Sequence, residues 1–259
     1  MVSILMPNFN SEEYIERAII SVVSQSYERW ELLICDDGSS DSSIEIAAKW
    51  AARDERIIAL KNCNNKGAAG ARNTCLNVAR GRYIAFLDSD DLWLPDKLTL
   101  QLNFMRSENI AFSFSYHCVI DERDNEIASF KAPKKVDASL MRYSNFIPCL
   151  TAMYDTKILG KVVQPNIKKR NDFALWLKIL NSGKVKHAHC LPVITAKYRA
   201  NSYGLSSKKL DTLHYYKTCL KEFGGLSQLD AVFFSAIYAI LGIVKAKIHF
   251  LYNYLVVKL

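Results

Sequence analysis

Several short polar segments of this 259-residue chain hold residue types that can do chemistry. Asp88-Ser89-Asp90 sets two carboxylates at i and i+2 behind the apolar run Tyr83–Leu87. On a bend, hard oxygen ligands so spaced can reach Mg²⁺ or Mn²⁺ and the ribose around it. The cation in turn can hold two phosphates and stabilise a departing diphosphate. Taken alone, a D-x-D pair is more often a surface turn, or a cap for a helix near Leu92–Pro95. Asp36-Asp37-Gly38-Ser39-Ser40-Asp41 offers a carboxylate able to accept the ring N–H of a uracil or an amino hydrogen of another base. The same residues also suit a turn that caps the next helix. Pro7-Asn8-Phe9-Asn10 gives a rigid turn and an aromatic face for a base, or a helix entry with Phe9 as a hydrophobic staple.

Asn65-Lys66-Gly67-Ala68-Ala69-Gly70-Ala71-Arg72-Asn73 opens a helix behind a glycine-bearing loop. Glycine allows close backbone approach, and the helix N-terminus with Arg72 favours phosphate. The segment matches neither the Walker spacing nor G-x-G-x-x-G. Asp172, after Lys168-Lys169-Arg170-Asn171, is a carboxylate at a loop–helix junction. It can serve as a base toward an acceptor hydroxyl, though by itself it reads as a dipole-stabilised aspartate in a first helical turn. His187 and His189 lie two apart on one face of a strand with no third ligand near, and read as structural.

The elements that must position these residues alternate. Val2–Met6, Glu31–Cys35, Arg56–Leu60 and Tyr83–Leu87 read as strands. Helical spacing follows the first (Tyr14, Ile15, Ala18, Ile19, Val22, Val23), with Asn10 and Glu13 as a candidate capping box. Ile44, Ala47, Ala48 and Ala51 mark a second helix, and 70–79 a third. Strand–helix units repeated at this interval predict an α/β fold with a mainly parallel sheet and helices on both faces. In such sheets ligands bind beyond the carboxyl ends of the strands, so three distant polar segments are expected to converge on one rim. Farther on, Ile110–Ile120 alternates as a strand with one more polar face, Asp172–Asn181 reads as a helix, and Lys184–Arg199 as a strand returning to the rim.

Half the residues are hydrophobic and 23% are charged, so the chain can bury a core and is not of disordered composition. The net charge of +8 favours anionic partners such as nucleotide phosphates or acidic lipid headgroups. No aromatic–basic RNA motif or recognition helix stands out, so no nucleic-acid partner is expected. Seven scattered cysteines without a C-x-x-C pair, and an N-terminus without a basic and then apolar leader, predict a reducing cytoplasmic setting. From Leu229 the chain turns apolar, but lysines at 245 and 247 interrupt the run. A spanning helix is not expected. An amphipathic helix on a membrane surface and a helix packed on the domain or in a dimer both fit.

Together, in order and spacing, these pieces resemble the inverting family 2 glycosyltransferases of GT-A fold, of the bacterial type that builds O-antigen, capsule or related surface polysaccharides. The resemblance covers about residues 1–210. Val2-Ser3-Ile4-Leu5-Met6-Pro7-Asn8-Phe9-Asn10 is similar to the first strand and base-binding turn. Ile34-Cys35-Asp36-Asp37-Gly38-Ser39-Ser40-Asp41 is similar to the second nucleotide motif, which makes Asp37 the candidate base contact. Asn65-Lys66-Gly67 and Ala71-Arg72-Asn73 resemble the segment beside ribose and diphosphate. Ala85-Phe86-Leu87-Asp88-Ser89-Asp90-Asp91 resembles the metal motif, implying Asp90 as the direct ligand of Mg²⁺ or Mn²⁺, with Asp88 and Ser89 beside the nucleotide.

Lys169-Arg170-Asn171-Asp172-Phe173-Ala174-Leu175-Trp176-Leu177 resembles the acidic-pair-plus-tryptophan element. Its usual Glu-Asp is Asn171-Asp172 here, which carries the base role to Asp172 and leaves Asn171 and Trp176 as acceptor contacts. Tyr198-Arg199 and Ser206-Ser207-Lys208 resemble the segment closing over the donor phosphates, so Arg199 and Lys208 are expected to neutralise leaving-group charge. The resemblance implies a single in-line displacement of a sugar from a nucleotide-sugar donor onto a saccharide acceptor. UDP is the default nucleotide, with GDP and dTDP as alternatives.

The expected organisation is a catalytic domain at 1–210, with a nucleotide-binding part at about 1–105 and an acceptor part at about 106–210. A helical, apolar C-terminal extension follows at 211–259. A lipid-linked acceptor and peripheral contact with the inner face of the cell membrane through 229–259 are expected from the charge, the apolar segment and the family. A nucleotidyltransferase is the first rival, but the first strand runs into Pro7-Asn8-Phe9-Asn10 rather than a glycine- and basic-rich loop. A non-catalytic binding module of the same fold is the second, kept alive by the loss of the acid at Asn171.

Overall fold

The computed structural model describes residues 1–64, 66–200 and 209–247. The first half runs β1 (Val2–Asn8), α1 (Ile15–Val23), β2 (Trp30–Asp36), α2 (Ser43–Ala51), β3 (Ile57–Lys61), α3 (Ala68–Val78), β4 (Tyr83–Phe86), β5 (Leu92–Trp93) and α4 (Lys97–Ser107). The second runs β6 (Phe112–Ile120), β7 (Glu126–Phe130), β8 (Lys135–Val136), β9 (Met153–Asp155), α5 (Thr156–Leu159), α6 (Asn171–Leu180), β10 (Ala188–Arg199), α7 (Lys209–Glu222) and α8 (Gln228–Lys247).

The strands form one sheet in the order β3-β2-β1-β4-β9-β6-β10-β5, with β7 beside β6 and β8 beside β10. β1 is the axis of the nucleotide half and pairs in parallel with both β2 and β4, while β3 pairs in parallel with β2. All seven β1 residues are buried because both faces of the sheet are covered. Val2, Ile4 and Met6 pack with the α1 stripe Ile15, Ala18, Ile19 and Val22. Leu5 points the other way, into a core shared with α3, α6, α7 and α8.

The sheet is mixed rather than mainly parallel. Three-residue β9 slots antiparallel between β4 and β6, and β6 then pairs in parallel with β10. Met153-Tyr154-Asp155 is too short for any periodicity, so nothing in the sequence marked it as a strand that joins the two halves. The face of β6 expected to be more polar is also covered: Ser113 and Ser115 are buried and bond to Gln101 and Thr195.

The start of α1 departs from expectation as well. Ser11 accepts the Tyr14 and Ile15 N–H groups through its carbonyl, and the helix begins at Ile15. Asn10 is therefore no cap. It adopts a left-handed φ of 46° and turns its side chain to the next loop.

Near the amino ends of the strands, Glu31 on β2 is buried between Ser3 on β1 and Arg80 before β4. Its Oε1 accepts from Ser3 Oγ at 2.5 Å and from the Arg80 N–H at 2.6 Å; its Oε2 accepts from the Arg80 guanidinium at 2.9 Å. Ser3 Oγ also accepts from the Gly81 N–H, and a Cβ on Gly81 would sit 2.5 Å from the Ser3 nitrogen, so only glycine fits this crossing. Burial alone would push the Glu31 carboxyl up, but the Ser3 and Arg80 hydrogen bonds outweigh it and hold it below the usual range. A depressed native pKa stabilises the fold above the unfolded carboxylate's pKa, and that stability is lost as pH falls through the native value. Glu31→Gln is expected to lower the unfolding free energy by about 2 kcal/mol at neutral pH. Urea titrations at decreasing pH should show the gap to wild type closing.

Candidate active site

Three strand ends build the floor of the site. β1 ends at Asn8, β2 at Asp36 and β4 at Phe86, so Pro7–Asn10, Asp37–Gly38 and Asp88–Asp91 meet on one rim. Pro7, Phe9, Asn10, Asp37, Gly67, Asp88, Ser89 and Asp90 line a single cleft of about 630 Å³, with Ser11, Tyr14 and Glu122 also in its wall.

The two aspartates at the end of β2 have separate work. Asp36 faces inward and accepts from Asn8 Nδ2, Ser39 Oγ and the Gly38 and Ser39 N–H groups. Burial would raise its pKa, but these donors more than reverse that and hold the carboxyl low. Asp36 is thus the builder of the turn. Asp37 is on the cleft wall, tied to the next loop by Asn62 Nδ2 at 2.5 Å and by the Gly67 N–H at 2.6 Å. Gly67 has φ +102°, which only glycine adopts readily, and it opens α3. Asn10 joins the first loop to the second by accepting from the Ser40 N–H at 2.8 Å and donating its own N–H to Ser39 Oγ at 3.0 Å. Phe9 is left 59% exposed on the cleft wall rather than stapling α1.

The acidic turn after β4 is crowded with charge. Asp91 is 3% exposed, and burial with the Asp90 and Asp88 charges pushes its carboxyl well up. Burial, then the charge of Asp88, raises Asp90 to about 6. Two buried arginines flank the turn. Arg72 of α3 ion-pairs Asp88. Arg199 at the end of β10 donates its N–H to Asp91 Oδ1 at 2.8 Å and its Nε to the Asp90 carbonyl at 2.9 Å.

Among the described residues no group of three or more His, Cys, Asp or Glu side chains forms a closed metal cage. His187 and His189 accordingly stand as an edge-on ring pair at 6.2 Å. The acidic turn still fits a divalent cation of the open kind. It offers hard carboxylate oxygens at a repulsive cluster on a cleft wall, and Mg²⁺-type sites take one or two carboxylates and complete the shell with phosphate and water.

Asp172 reaches the same region from the other half of the chain. It lies in the first turn of α6, and its Oδ2 accepts from Asn145 Nδ2 at 2.9 Å. The preceding Asn171 turns toward α3: its Oδ1 accepts from Arg72 Nη1 at 3.1 Å and from Gln164 Nε2 at 2.9 Å. Asp88, Arg72 and Asn171 therefore form a continuous bonded path from the acidic turn to the start of α6. The Cys149 thiol lies within electrostatic reach of Arg72, Asp88 and Asp172 at once, and burial pushes it well above its ordinary value.

Residues 3–162 match the model of glycosyl transferase family 2, more than half of the chain. The chain belongs to that family. It is 38% identical over 245 residues to the Escherichia coli UDP-Glc:alpha-D-GlcNAc-diphosphoundecaprenol beta-1,3-glucosyltransferase WfgD, covering 95% of this chain and 94% of that one. It is 39% identical to TuaG of Bacillus subtilis, a putative teichuronic acid biosynthesis glycosyltransferase, covering 81% and 82%. Among solved structures, S. aureus TarS in complex with UDP-GlcNAc superposes with a TM-score of 0.71 at 18% identity, over 92% of this chain and 71% of that one. The protein is a glycosyltransferase of GT-A fold.

The structure corrects four assignments within this glycosyltransferase. Trp176 cannot touch an acceptor. It is fully buried, donates its indole N–H to the Ile147 carbonyl at 3.0 Å, and packs on Phe86 and Phe112 with ring centroids 5.3 and 5.2 Å away. Arg199 is no free cation over the donor phosphates. It is 1% exposed, with Nη1 on the Asp121 carbonyl at 2.8 Å, Nη2 on Asp124 at 2.5 Å and the guanidinium 4.8 Å over the Tyr14 ring. It clamps the acidic turn from behind. Arg72 is likewise buried and acts through Asp88 and Asn171 rather than facing the cleft as a free cation. Asn171 also points away from an acceptor role, toward Arg72 and Gln164. Lys208, with Ser206 and Ser207, and Asn65 lie outside the described residues.

Asn145, Cys149 and Gln164 were invisible to sequence reasoning because each is an isolated polar residue in an irregular stretch, brought in only by tertiary folding. Asn145→Ala is expected to lower kcat for transfer about tenfold, the size of one lost orienting hydrogen bond to a carboxylate. UDP affinity by calorimetry should be unchanged.

Proposed function

We propose that this glycosyltransferase moves a sugar from a UDP-sugar to a hydroxyl of a saccharide carried on a lipid diphosphate, with inversion at the anomeric carbon. The observation that supports it most is the joining of two separate polar sites. The cleft holding Asp37 and Asp90 is bonded through Asp88 and Arg72 to Asn171, which opens the helix that carries Asp172 in its first turn. Donor chemistry and a proton acceptor therefore sit on one rigid scaffold. The E. coli relative's name specifies a UDP-glucose donor and a diphosphoundecaprenol-linked acceptor, and the Bacillus relative's name a surface polysaccharide. These support bacterial surface-polysaccharide synthesis for this chain.

In the proposed reaction Asp37 receives the base, with Phe9 offering a face for stacking and Pro7 and Asn10 shaping the turn beneath it. The Gly67 backbone and Ser89 lie beside the ribose and diphosphate. Asp90, with Asp88 beside it, would hold Mg²⁺ or Mn²⁺, which when bound supplies charge stabilisation to the departing UDP. Asp172, held by Asn145, takes the proton of the attacking hydroxyl. Displacement from the face opposite the leaving group gives the inverted product.

A lipid-linked acceptor needs the enzyme at a membrane surface. Among the described residues no helix is long and apolar enough to cross a membrane. α8 instead leaves Leu229, Val232, Phe233 and Ile240 outward at 49–82% exposure. At spacings of three, four, seven and eight residues these side chains form one stripe. With the chain's +8 charge, this stripe fits peripheral contact with an anionic leaflet, on the cytoplasmic face where UDP-sugars are available.

Calorimetry with UDP should show binding that strengthens with Mn²⁺ and is lost in Asp90→Ala. Asp172→Asn should retain that binding while transfer in a UDP-sugar screen falls by about 10²- to 10⁴-fold, as expected for loss of a general base. Retained transfer would remove Asp172 from the mechanism. On the membrane side, the chain is expected to float with vesicles containing phosphatidylglycerol and to do so less after Phe233→Ser. Equal flotation of both would place the contact elsewhere.

A further inference from the structure

Asp172, the one acid at the Asn171-Asp172 pair, takes its side-chain hydrogen bond from outside its own helix, from Asn145. The residue before α6, Arg170, has φ 61°. A non-glycine residue stays in that left-handed region when its surroundings fix it there. Its side chain is held by α8. Arg170 Nη2 donates to the Tyr238 hydroxyl, and the guanidinium sits 5.3 Å from the centroid of the Tyr238 ring. The Arg170 carbonyl meanwhile accepts the Ala174 N–H at 3.0 Å, closing the first turn of α6 around Asp172.

The residue after Asp172 is tied to the same helix. Phe173 stacks on Tyr216 of α7 at 4.6 Å, and Tyr216 stacks on Tyr238 at 4.1 Å, so three parallel rings run from α6 through α7 to α8. The chain segment that carries Asn145 is gripped from α8 too. Phe234, one turn before Tyr238, lies edge-on to Tyr143 at 5.3 Å and 5.8 Å from the Arg142 guanidinium. Tyr216 Oη reaches the Met141 and Arg142 carbonyls at 3.0 Å. Asp172 is thus flanked by Arg170, Phe173 and Asn145, and each flank is anchored directly or through one ring on Phe234 and Tyr238.

We infer that α8 is a brace for the catalytic carboxylate and that Tyr238 is a positioning residue, acting through Arg170 and the ring ladder to hold Asp172 in line with the acceptor hydroxyl. The inference rests on the assignment of Asp172 as base. It gives the C-terminal helices a part in the reaction itself. Proton transfer and in-line attack tolerate little displacement of the base, so loosening the brace slows turnover. Asp37 is held by Asn62 and the Gly67 N–H, off the Asp88–Arg72–Asn171 path, so the base-binding wall of the cleft keeps its hold on UDP.

The test uses the full chain, with transfer assayed from UDP-glucose to an N-acetylglucosaminyl diphosphate lipid. Hydrogen exchange at the Asp172–Ala174 amides is read in parallel, so that a readout exists without an acceptor. Tyr238→Phe removes only the hydroxyl and keeps the ring ladder. Arg170→Asn keeps a side chain that tolerates the left-handed backbone but cannot reach Tyr238. Each is expected to lower kcat about tenfold with donor KM and UDP affinity unchanged, to quicken exchange at the start of α6 while β1 stays protected, and to leave the melting temperature close to wild type. Because Tyr238→Phe breaks one of the two contacts that Arg170→Asn removes, the double variant should be no slower than Arg170→Asn alone.

Additive losses, or a parallel fall in UDP affinity, would mean general destabilisation and overturn the brace. So would wild-type kcat and exchange in Tyr238→Phe beside an inactive Asp172→Asn. Full transfer by Asp172→Asn would overturn the base assignment and the brace with it.

Discussion

The acidic turn Asp88–Asp91 is the constraint that the rest of this structure serves. Three carboxylates within four residues cannot all be buried and ionised without nearby positive charge, since desolvation and mutual repulsion act together. Burial and the neighbouring carboxylates accordingly push the Asp90 and Asp91 carboxyls up. The fold answers with two buried arginines from distant parts of the chain. Arg72 comes from α3, behind the parallel strands, and Arg199 from the end of β10, across the antiparallel β9 join. Each is held by further partners: Asn171 for Arg72, and Asp124 with the Asp121 carbonyl for Arg199. Balancing the turn therefore requires both halves of the sheet in register. The compensation remains incomplete at Asp90, on the open side, where a divalent cation and a diphosphate would bring their own charges.

This also explains how a neutral residue serves at Asn171. A carboxylate there would share Arg72 with Asp88. The amide instead accepts from Arg72 and Gln164 through one oxygen and adds no charge, so Asp88 is Arg72's bonded carboxylate partner. The departure from the family's acidic pair reads as a retuned charge balance at the acidic turn. In the proposed reaction the proton-accepting role falls on Asp172, which has a separate donor in Asn145.

Most of the cleft was legible in the sequence for a topological reason. Parallel strands put their carboxyl ends on one edge, so Pro7–Asn10, Asp37 and Asp88–Asp90 had to meet once β1, β2 and β4 were recognised from apolar runs. Residues acting through burial were not legible. Trp176 and Arg199 carry the types expected of contact residues, yet whether an indole or a guanidinium faces a cleft or the core depends on what packs against it, and that partner is far away in sequence. Trp176 is enclosed by Phe86 and Phe112 on two other elements, and Arg199 by carbonyls of the 121–122 turn. β9 was missed because three residues carry no period. The cap at Asn10 was misread because the side chain found a stronger use across the rim, where Ser40 offers an N–H that no helix bond satisfies.

The division into a catalytic domain and a C-terminal extension follows composition, but the core does not respect it. Tyr216, Cys219, Leu220 and Ala231 are fully buried in the same cluster as Phe173, Trp176 and Leu5. α7 and α8 thus complete the layer that α3 and α6 begin on that face of the sheet. One side of α8 is committed to this core and to Arg170, and the other carries the outward stripe from Leu229 to Ile240. A helix of this kind has its orientation fixed from within, by residues beside Asp172, so any surface that engages its outer stripe meets the enzyme in one defined attitude. For the proposed acceptor, tethered to a membrane by its diphosphate, that fixed attitude would limit how the hydroxyl arrives at Asp172. The same α8 contacts that hold the carboxylate would then also set the direction from which the substrate approaches it.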